Sequence, residues 1–268
     1  MTKLLASTKE ILSKLVSFQS LSGQSNLDMI GYIEEYLKEH GVSSSLSYDE
    51  TKQKANLYAT IGPEVKGGVV LNGHTDVVPV KGQTWTIDPF VLTERNNRLY
   101  GRGAVDMKGF LACSLAMVPV FQAQNLQRPI HVSFCYDEEI GGFGAPVLAD
   151  DIITKNFKPD AVIVGEPTNM SLVTGHKAGM EITTRFTGFE VHSSQPEKGV
   201  NAIEFASRFI GKILEVGARL AAAPKIGSPF DPPYTTCNVG RIDGGAASNI
   251  TAGRCEMIWE IRPIPGDN

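Results

Sequence analysis

The sequence predicts an α/β fold on three observations. Short apolar, β-rich segments recur at 55–61 (ANLYATI), 68–72 (GVVLN), 130–136 (IHVSFCY) and 161–164 (AVIV), each bounded by turn residues. Helical periodicities are interleaved with them. The composition, 42% hydrophobic and 20% charged, is that of a chain able to bury a core. Strands alternating with helices predict a buried central sheet, parallel or mixed, with helices against it.

The elements follow in order. Ser7 and Glu10 have capping-box spacing, and Ile11, Leu15 and Phe18 then recur on one face, so a first helix is expected over about 7–19. A second starts near Ser25, carries Ile30, Ile33 and Leu37, and stops at Gly41. A third runs from Met107 through Leu111, Leu115 and Val118, where Pro119 should kink or end it. After about residue 178 the texture changes. A strand over 180–187, a long amphipathic helix over 199–221 and strands over 235–241 and 254–262 give the order β-α-β-β. That is the first part of a ferredoxin-like unit, without its last helix and strand. The expected domains are therefore 1–178 and 179–268.

Bulk properties exclude several function classes. With 25 Lys+Arg against 29 Asp+Glu the net charge is −4, and without a long basic run a nucleic-acid binder is not expected. Cys113, Cys135, Cys237 and Cys255 form no C-x-x-C pair, so free thiols in a reducing compartment are the simplest reading, with a disulfide pair as the alternative. The N-terminus is too short in apolar run for a signal peptide, and segment 110–121 falls short of the ~18 residues that span a bilayer. A cytoplasmic protein with no membrane partner is expected.

The chemistry lies in where His and acidic residues fall. His74 and Asp76 follow the strand at 68–72, Glu138 and Glu139 the strand at 130–136, and Glu166 the strand at 161–164. Asp106 follows the GRG turn at 101–103 and opens a helix. Loops at the carboxyl ends of strands in an open α/β sheet form its ligand crevice. One imidazole and several carboxylates there suit a divalent transition metal, zinc first among them, and carboxylates so close repel one another without a cation. Each residue alone has a plainer reading. Glu138–Glu139 could be a solvated loop pair, Asp106 a helix cap, His74 a satisfied histidine near the core and Asp76 a turn closer.

Longer stretches carry a resemblance. GHTDVVPVKGQTW at 73–85, DPF at 88–90, LYGRGAVDMKGF at 99–110, YDEEIGG at 136–142, GEPT at 165–168, GHKAG at 175–179 and VHSSQPEKGVNAIE at 191–204 resemble, in order, the motifs of the M20 metallopeptidase family. The resemblance implies a zinc-peptidase-like catalytic domain with a central mixed sheet and flanking helices, plus a ferredoxin-like lid and dimerisation domain, incomplete here. It implies metal-dependent hydrolysis of an amide in a small N-acyl amino acid, with removal of the acetyl group from N-acetylornithine (arginine biosynthesis) as the leading case. Succinyl-diaminopimelate desuccinylation and short-peptide hydrolysis are alternatives, as is a silent fragment that keeps a dimerisation lid.

The resemblance also implies roles. His74, Asp106, Glu139 and Glu166 match metal ligands, with Asp106 bridging two ions and Glu139 on the second. Asp76 matches the residue that hydrogen-bonds the far nitrogen of His74 and so orients the ring. Glu138 matches the general base. His192 matches a histidine that reaches across a homodimer interface to the oxyanion. Asn249 and Arg262 lie where relatives hold substrate groups; an Arg suits a carboxylate, and could equally form a structural ion pair. Among the other histidines, His40 is expected at a helix C-terminus, His131 facing a strand neighbour, and His176 in a hinge.

The complete family site holds two zinc (or cobalt) ions, the second taking one more histidine from a segment after the lid. No histidine follows His192. The expectation is one ion held well and the second weakly, with an exposed sheet edge where family elements are missing.

Overall fold

The computed structural model describes residues 2–154 and 158–267. They form two compact units, Met1–Ser171 and Leu172–Asn268.

The first unit begins with helices α1 (Thr2–Ser17) and α2 (Leu27–Glu39) and strands β1 (Ser44–Tyr48), β2 (Ala55–Ile61) and β3 (Val69–His74). A small hairpin, β4 (Thr93–Arg95) and β5 (Arg98–Tyr100), precedes helices α3 (Lys108–Ala116) and α4 (Val118–Gln122). Strand β6 (Ile130–Cys135), helix α5 (Gly144–Thr154) and strand β7 (Ala161–Val164) follow. The central sheet has the order β1-β2-β6-β3-β7. β1 and β2 run antiparallel to their neighbours, whereas β6, β3 and β7 are mutually parallel. The sheet is therefore mixed, and three parallel strands bring their carboxyl ends to one edge.

One core holds this unit together. Ile11, Leu12, Leu15 and Val16 of α1, Met29, Ile30, Ile33 and Leu37 of α2, and Leu111, Ala112 and Leu115 of α3 pack with Leu57, Ala59, Val132 and Phe134 of the sheet. The observed α1 starts a turn before the Ser7 cap, because Leu4 also packs on this core and extends the apolar stripe backwards. α2 ends as its sequence indicates. Gly41 has φ +69, Val42 N–H donates to the Leu37 carbonyl at 2.9 Å and Gly41 N–H to that of Lys38 at 2.9 Å, the paired bonds of a glycine helix stop. Pro119 divides the third helical segment into α3 and α4, sitting in the first turn of α4, where its missing N–H costs nothing.

β7 differs from the other parallel strands. Among the described residues it pairs only with β3, and Val162, Ile163 and Val164 are 55%, 50% and 55% exposed. β7 thus leaves an apolar face and one edge open among the described residues.

In the second unit, β8 (Met180–Thr187), α6 (Ala202–Ala221), β9 (Thr236–Gly244) and β10 (Arg254–Arg262) form an antiparallel sheet of order β8-β10-β9 carrying one helix. α6 starts at the Asn201 cap, whose Oδ1 accepts the Ile203 N–H at 3.0 Å. Ala202, Ala206, Cys255 and Phe186 form its small core, extended by edge-to-face contacts of Phe209 with Phe186 and Trp259. No described helix is long and apolar enough to cross a membrane.

Candidate metal centre

His74 is the last residue of β3 and lies opposite Cys135, the last of β6. Asn72 lies opposite Val164, the last of β7, and its carbonyl accepts the Gly165 N–H at 3.0 Å. The next residues of β6 and β7 therefore leave the sheet beside His74, carrying Glu138, Glu139 and Glu166. Asp106 arrives from the turn ahead of α3. There Met107 is fully buried, and its Sδ accepts the His74 backbone N–H at 3.3 Å.

These five side chains converge. His74 is 1% exposed, and its Nε2 lies 3.1 Å from Asp106 Oδ1, 3.7 Å from Glu166 Oε1 and 3.9 Å from Glu138 Oε2. Two groups bring ligand-capable atoms within 4.8 Å of one another: His74 with Asp106 and Glu139, and His74 with Glu138 and Glu166. The side chains of Asp106 and Glu138 are half exposed and that of Glu166 is 37% exposed, so the cluster opens outward from a buried imidazole.

The electrostatics show what such a cluster requires. Burial, with the charges of Asp106, Glu138 and Asp76, raises Glu139 to about 7 against the pull of His74. Burial also raises Glu166, helped by Asp106 and Glu138 and opposed by His74. Burial would push His74 down, but Asp76, Glu138 and Glu166 outweigh it and raise the imidazole to about 9. Glu139, Glu166 and the imidazole thus hold protons more tightly than usual, as groups among crowded anions do. An oxygen-rich set with one nitrogen fits a divalent cation such as zinc or cobalt, which would stand where those protons stand.

Asp76 sits behind the cluster, 2% exposed. The nearest acceptor for His74 Nδ1 is the Asp76 main-chain carbonyl at 2.9 Å, and carboxylate Oδ1 is 3.5 Å away. Both hold a proton on Nδ1 and orient the ring so that Nε2 faces the carboxylates. The Asp76 carboxylate has further partners. It accepts the Ser22 hydroxyl at 2.7 Å and the backbone N–H groups of Glu138 and Glu139 at 3.0 and 3.3 Å. Burial would raise Asp76, but hydrogen bonds from His74, Ser22 and the Glu138 backbone hold it below the usual carboxylate range. The resemblance of GHTD to the family motif implies the first contact and gives no hint of the others, because Ser22 is 54 residues away in sequence.

The remaining candidates belong to the second unit. His192 is exposed, and Ser194 N–H donates to its Nδ1 at 3.2 Å, so the ring presents an N–H at Nε2. It stands beside Asn249: His192 bridges to Ile250, and the Asn249 carbonyl accepts the Ser193 N–H at 3.0 Å. Arg262 closes β10, where its guanidinium pairs with Glu260 at 3.1 Å. His40 and His131 have local partners, the Tyr36 carbonyl at 2.8 Å and the Tyr58 hydroxyl at 2.6 Å. All four cysteines are free.

Comparison with known proteins gives this arrangement a context. The model of peptidase family M20/M25/M40 matches residues 70–252, a span that takes in all the metal-ligand candidates. Acetylornithine deacetylase of Klebsiella pneumoniae is 38% identical over 264 residues, covering 96% of this chain and 68% of that protein. Among solved structures, an M20 family metallo-carboxypeptidase from Sulfolobus solfataricus aligns with a TM-score of 0.75 at 22% identity, covering 97% of this chain and 72% of that one. A dipeptidase from Saccharomyces cerevisiae aligns with a TM-score of 0.74 at 18% identity, covering 100% and 71%. Both share the fold. With a family match across most of its length and a relative at this identity, the chain belongs to peptidase family M20/M25/M40 and is a hydrolase of that metal-dependent kind.

Proposed function

We propose that this protein removes the acyl group from an N-acylated amino acid, with N-acetylornithine the leading substrate and arginine biosynthesis the setting, in the cytoplasm. The observation that carries the reading is the convergence of His74, Asp106, Glu138, Glu139 and Glu166 at the ends of three parallel strands. The deacetylase relative supports the acyl amino acid as substrate.

In this reading His74, Asp106 and Glu166 would hold one divalent cation, and Asp106 and Glu139 would face a second. Once bound, zinc or cobalt supplies a Lewis acid that polarises the scissile carbonyl and makes water acidic. The protein's own groups do the rest. Glu138, half exposed and with its backbone N–H on Asp76, takes a proton from the attacking water and delivers it to the departing amine. Asp76 holds the His74 ring so that Nε2 faces outward. His192 offers its Nε2–H to the developing oxyanion. We assign that contact to a second copy of the chain, in a homodimer built through the second unit. Asn249 and Arg262 hold substrate polar groups, Arg262 exchanging Glu260 for the substrate carboxylate.

The test is turnover of N-acetylornithine with added zinc or cobalt, beside succinyl-diaminopimelate and short peptides. Metal-dependent deacetylation that falls about 10²–10⁴-fold in Glu138→Ala is expected. Unchanged activity in that variant overturns the assignment of the base. A metal-loaded sample that turns over none of the panel overturns the substrate class.

A further inference from the structure

A second buried carboxylate stands next to the Glu138–Glu139 pair. Asp137 is 2% exposed and has φ 54, a left-handed backbone in a residue that bears a side chain. Asn and Asp tolerate this region better than most residues, but it is uncommon. Its Oδ1 accepts the Gly23 N–H at 2.8 Å, and its Oδ2 forms an ion pair with Lys54 Nζ. Its carbonyl accepts the N–H groups of Gly142 and Phe143 at 2.8 and 3.2 Å, closing the loop that begins with Glu138. Lys54 is itself anchored: its N–H donates to Asp49 Oδ1 at 2.9 Å, and its ammonium lies 5.7 Å from the Tyr136 ring centroid.

The Glu138–Glu139 turn is therefore gripped from two sides. Asp76 takes both backbone N–H groups, and Asp137 fixes the residue from which the turn departs. The two grips share a jaw. Ser22 and Gly23 are consecutive residues of the loop between α1 and α2; the Ser22 hydroxyl donates to Asp76 and the Gly23 N–H to Asp137. Ser22 is held in turn by its N–H on the Val77 carbonyl at 3.1 Å.

We propose that Asp137 and Lys54 are positioning residues, which with the Ser22–Gly23 loop set where Glu138 and Glu139 stand relative to His74 and Asp106. The proposal rests on the metal-site reading above. Neither residue reaches the cation or the substrate; each acts through the turn. A displacement of about 1 Å in such a group can cost about 10²-fold in rate. Groups that orient a ligand are typically worth about 10–100-fold in metal affinity.

The experiment is a Co(II) titration of the full chain, followed by the visible absorption of the bound ion, with kcat and KM measured on whichever substrate the panel identifies. Asp137→Asn keeps the shape, the acceptor for Gly23 and the tolerance for the left-handed backbone, but sets an amide NH2 against Lys54 where the carboxylate oxygen accepted. Lys54→Met keeps the stem and loses the ammonium; Lys54→Arg restores a cation. Asp267→Asn, which breaks the Lys225 ion pair of the second unit, controls for loss of a salt bridge alone. Asp137→Asn and Lys54→Met are expected to weaken Co(II) binding by about tenfold or more and to alter its spectrum. kcat should fall with KM little changed, Lys54→Arg should recover part of the loss, and the control should bind as wild type. Wild-type Co(II) titrations in both variants overturn the proposal even if their melting temperatures fall. A wild type that binds Co(II) but hydrolyses nothing overturns the reaction and leaves the titration as the test of positioning. A wild type that binds no Co(II) overturns both.

Discussion

The ammonium of Lys108 donates to the main-chain carbonyl of Phe18 at 2.8 Å, although the lysine side chain is fully buried. A second bond, to the Leu15 carbonyl at 3.0 Å, completes a tie between the end of α1 and the turn that carries Asp106. Burial lowers this amine to about 7, with the charge of Asp76 working the other way. A neutral amine still has a hydrogen for each carbonyl.

Lys108→Met should therefore destabilise the chain by leaving the Phe18 carbonyl unsatisfied, by about 1–3 kcal/mol. The pH dependence has a definite sign. The unfolded lysine keeps its proton to about 10.5, whereas the folded one gives it up through about 7. Lysine thus adds stability as pH rises across that interval. The wild type should gain on the variant from pH 7 upward in thermal unfolding; a constant gap would contradict the buried-amine account.

Glu139 gives the opposite slope. Its folded pKa of about 7 lies above the ordinary 4.5, so in the metal-free chain its contribution is intact at low pH and is lost as pH rises through about 4.5 to 7. Glu139→Gln should match wild type near pH 4.5 and exceed it above 7, by the 2–4 °C or so that 1 kcal/mol gives in a chain of this size. Saturating zinc should abolish or reverse the advantage, because the cation then repays the carboxylate. Melting curves of both proteins with and without zinc check it.

Much of this site is legible in the sequence, because its ligand candidates stand at strand ends and strand ends are marked by apolar runs. His74, Glu138, Glu139 and Glu166 each follow one. The supports are not legible in the same way. Ser22, Gly23 and Lys54 belong to loops far from the residues they hold, and nothing local in SLSG or KAN signals a partner 54 to 114 residues away. The fold shows the same division. β2, β3, β6 and β7 announce themselves, whereas β1 (SSLSY) is too polar to read and exists by pairing with β2. α5 begins with GAP, which reads as a turn, and buries only Gly144 and Leu148.

Gly165 offers a steric test. A Cβ there would lie 2.0 to 2.3 Å from atoms of the Phe110 ring, far inside contact distance. Gly165→Ala must therefore displace either the ring or the strand end that carries Glu166. Retention of zinc after dialysis should fall by about tenfold or more, and adding Phe110→Ala should restore part of it. Additive losses in the double variant would show that the two residues are not coupled.

The exposed edge of β7 predicts behaviour in solution. An apolar, unpaired strand edge is a template for pairing with another chain. Concentrated samples of this chain should associate, and Ile163→Lys, which puts a charge on that strand, should reduce the association seen by light scattering. Equal association in the variant would place the contact elsewhere.

The register of the parallel strands finally sets a tolerance. Cys135 stands level with His74, and Val164 level with Asn72, so the distances among the donors are graduations on a single ruler, the sheet itself. If β7 slid by one residue along β3, Glu166 would travel about 3.3 Å and its strand would turn each side chain to the opposite face. Loops around this centre can vary in length without consequence for the ruler, but a slip of β7 has no partial version. A β7 slip should therefore remove Glu166 as a donor in one step, leaving His74, Asp106 and Glu139 still grouped.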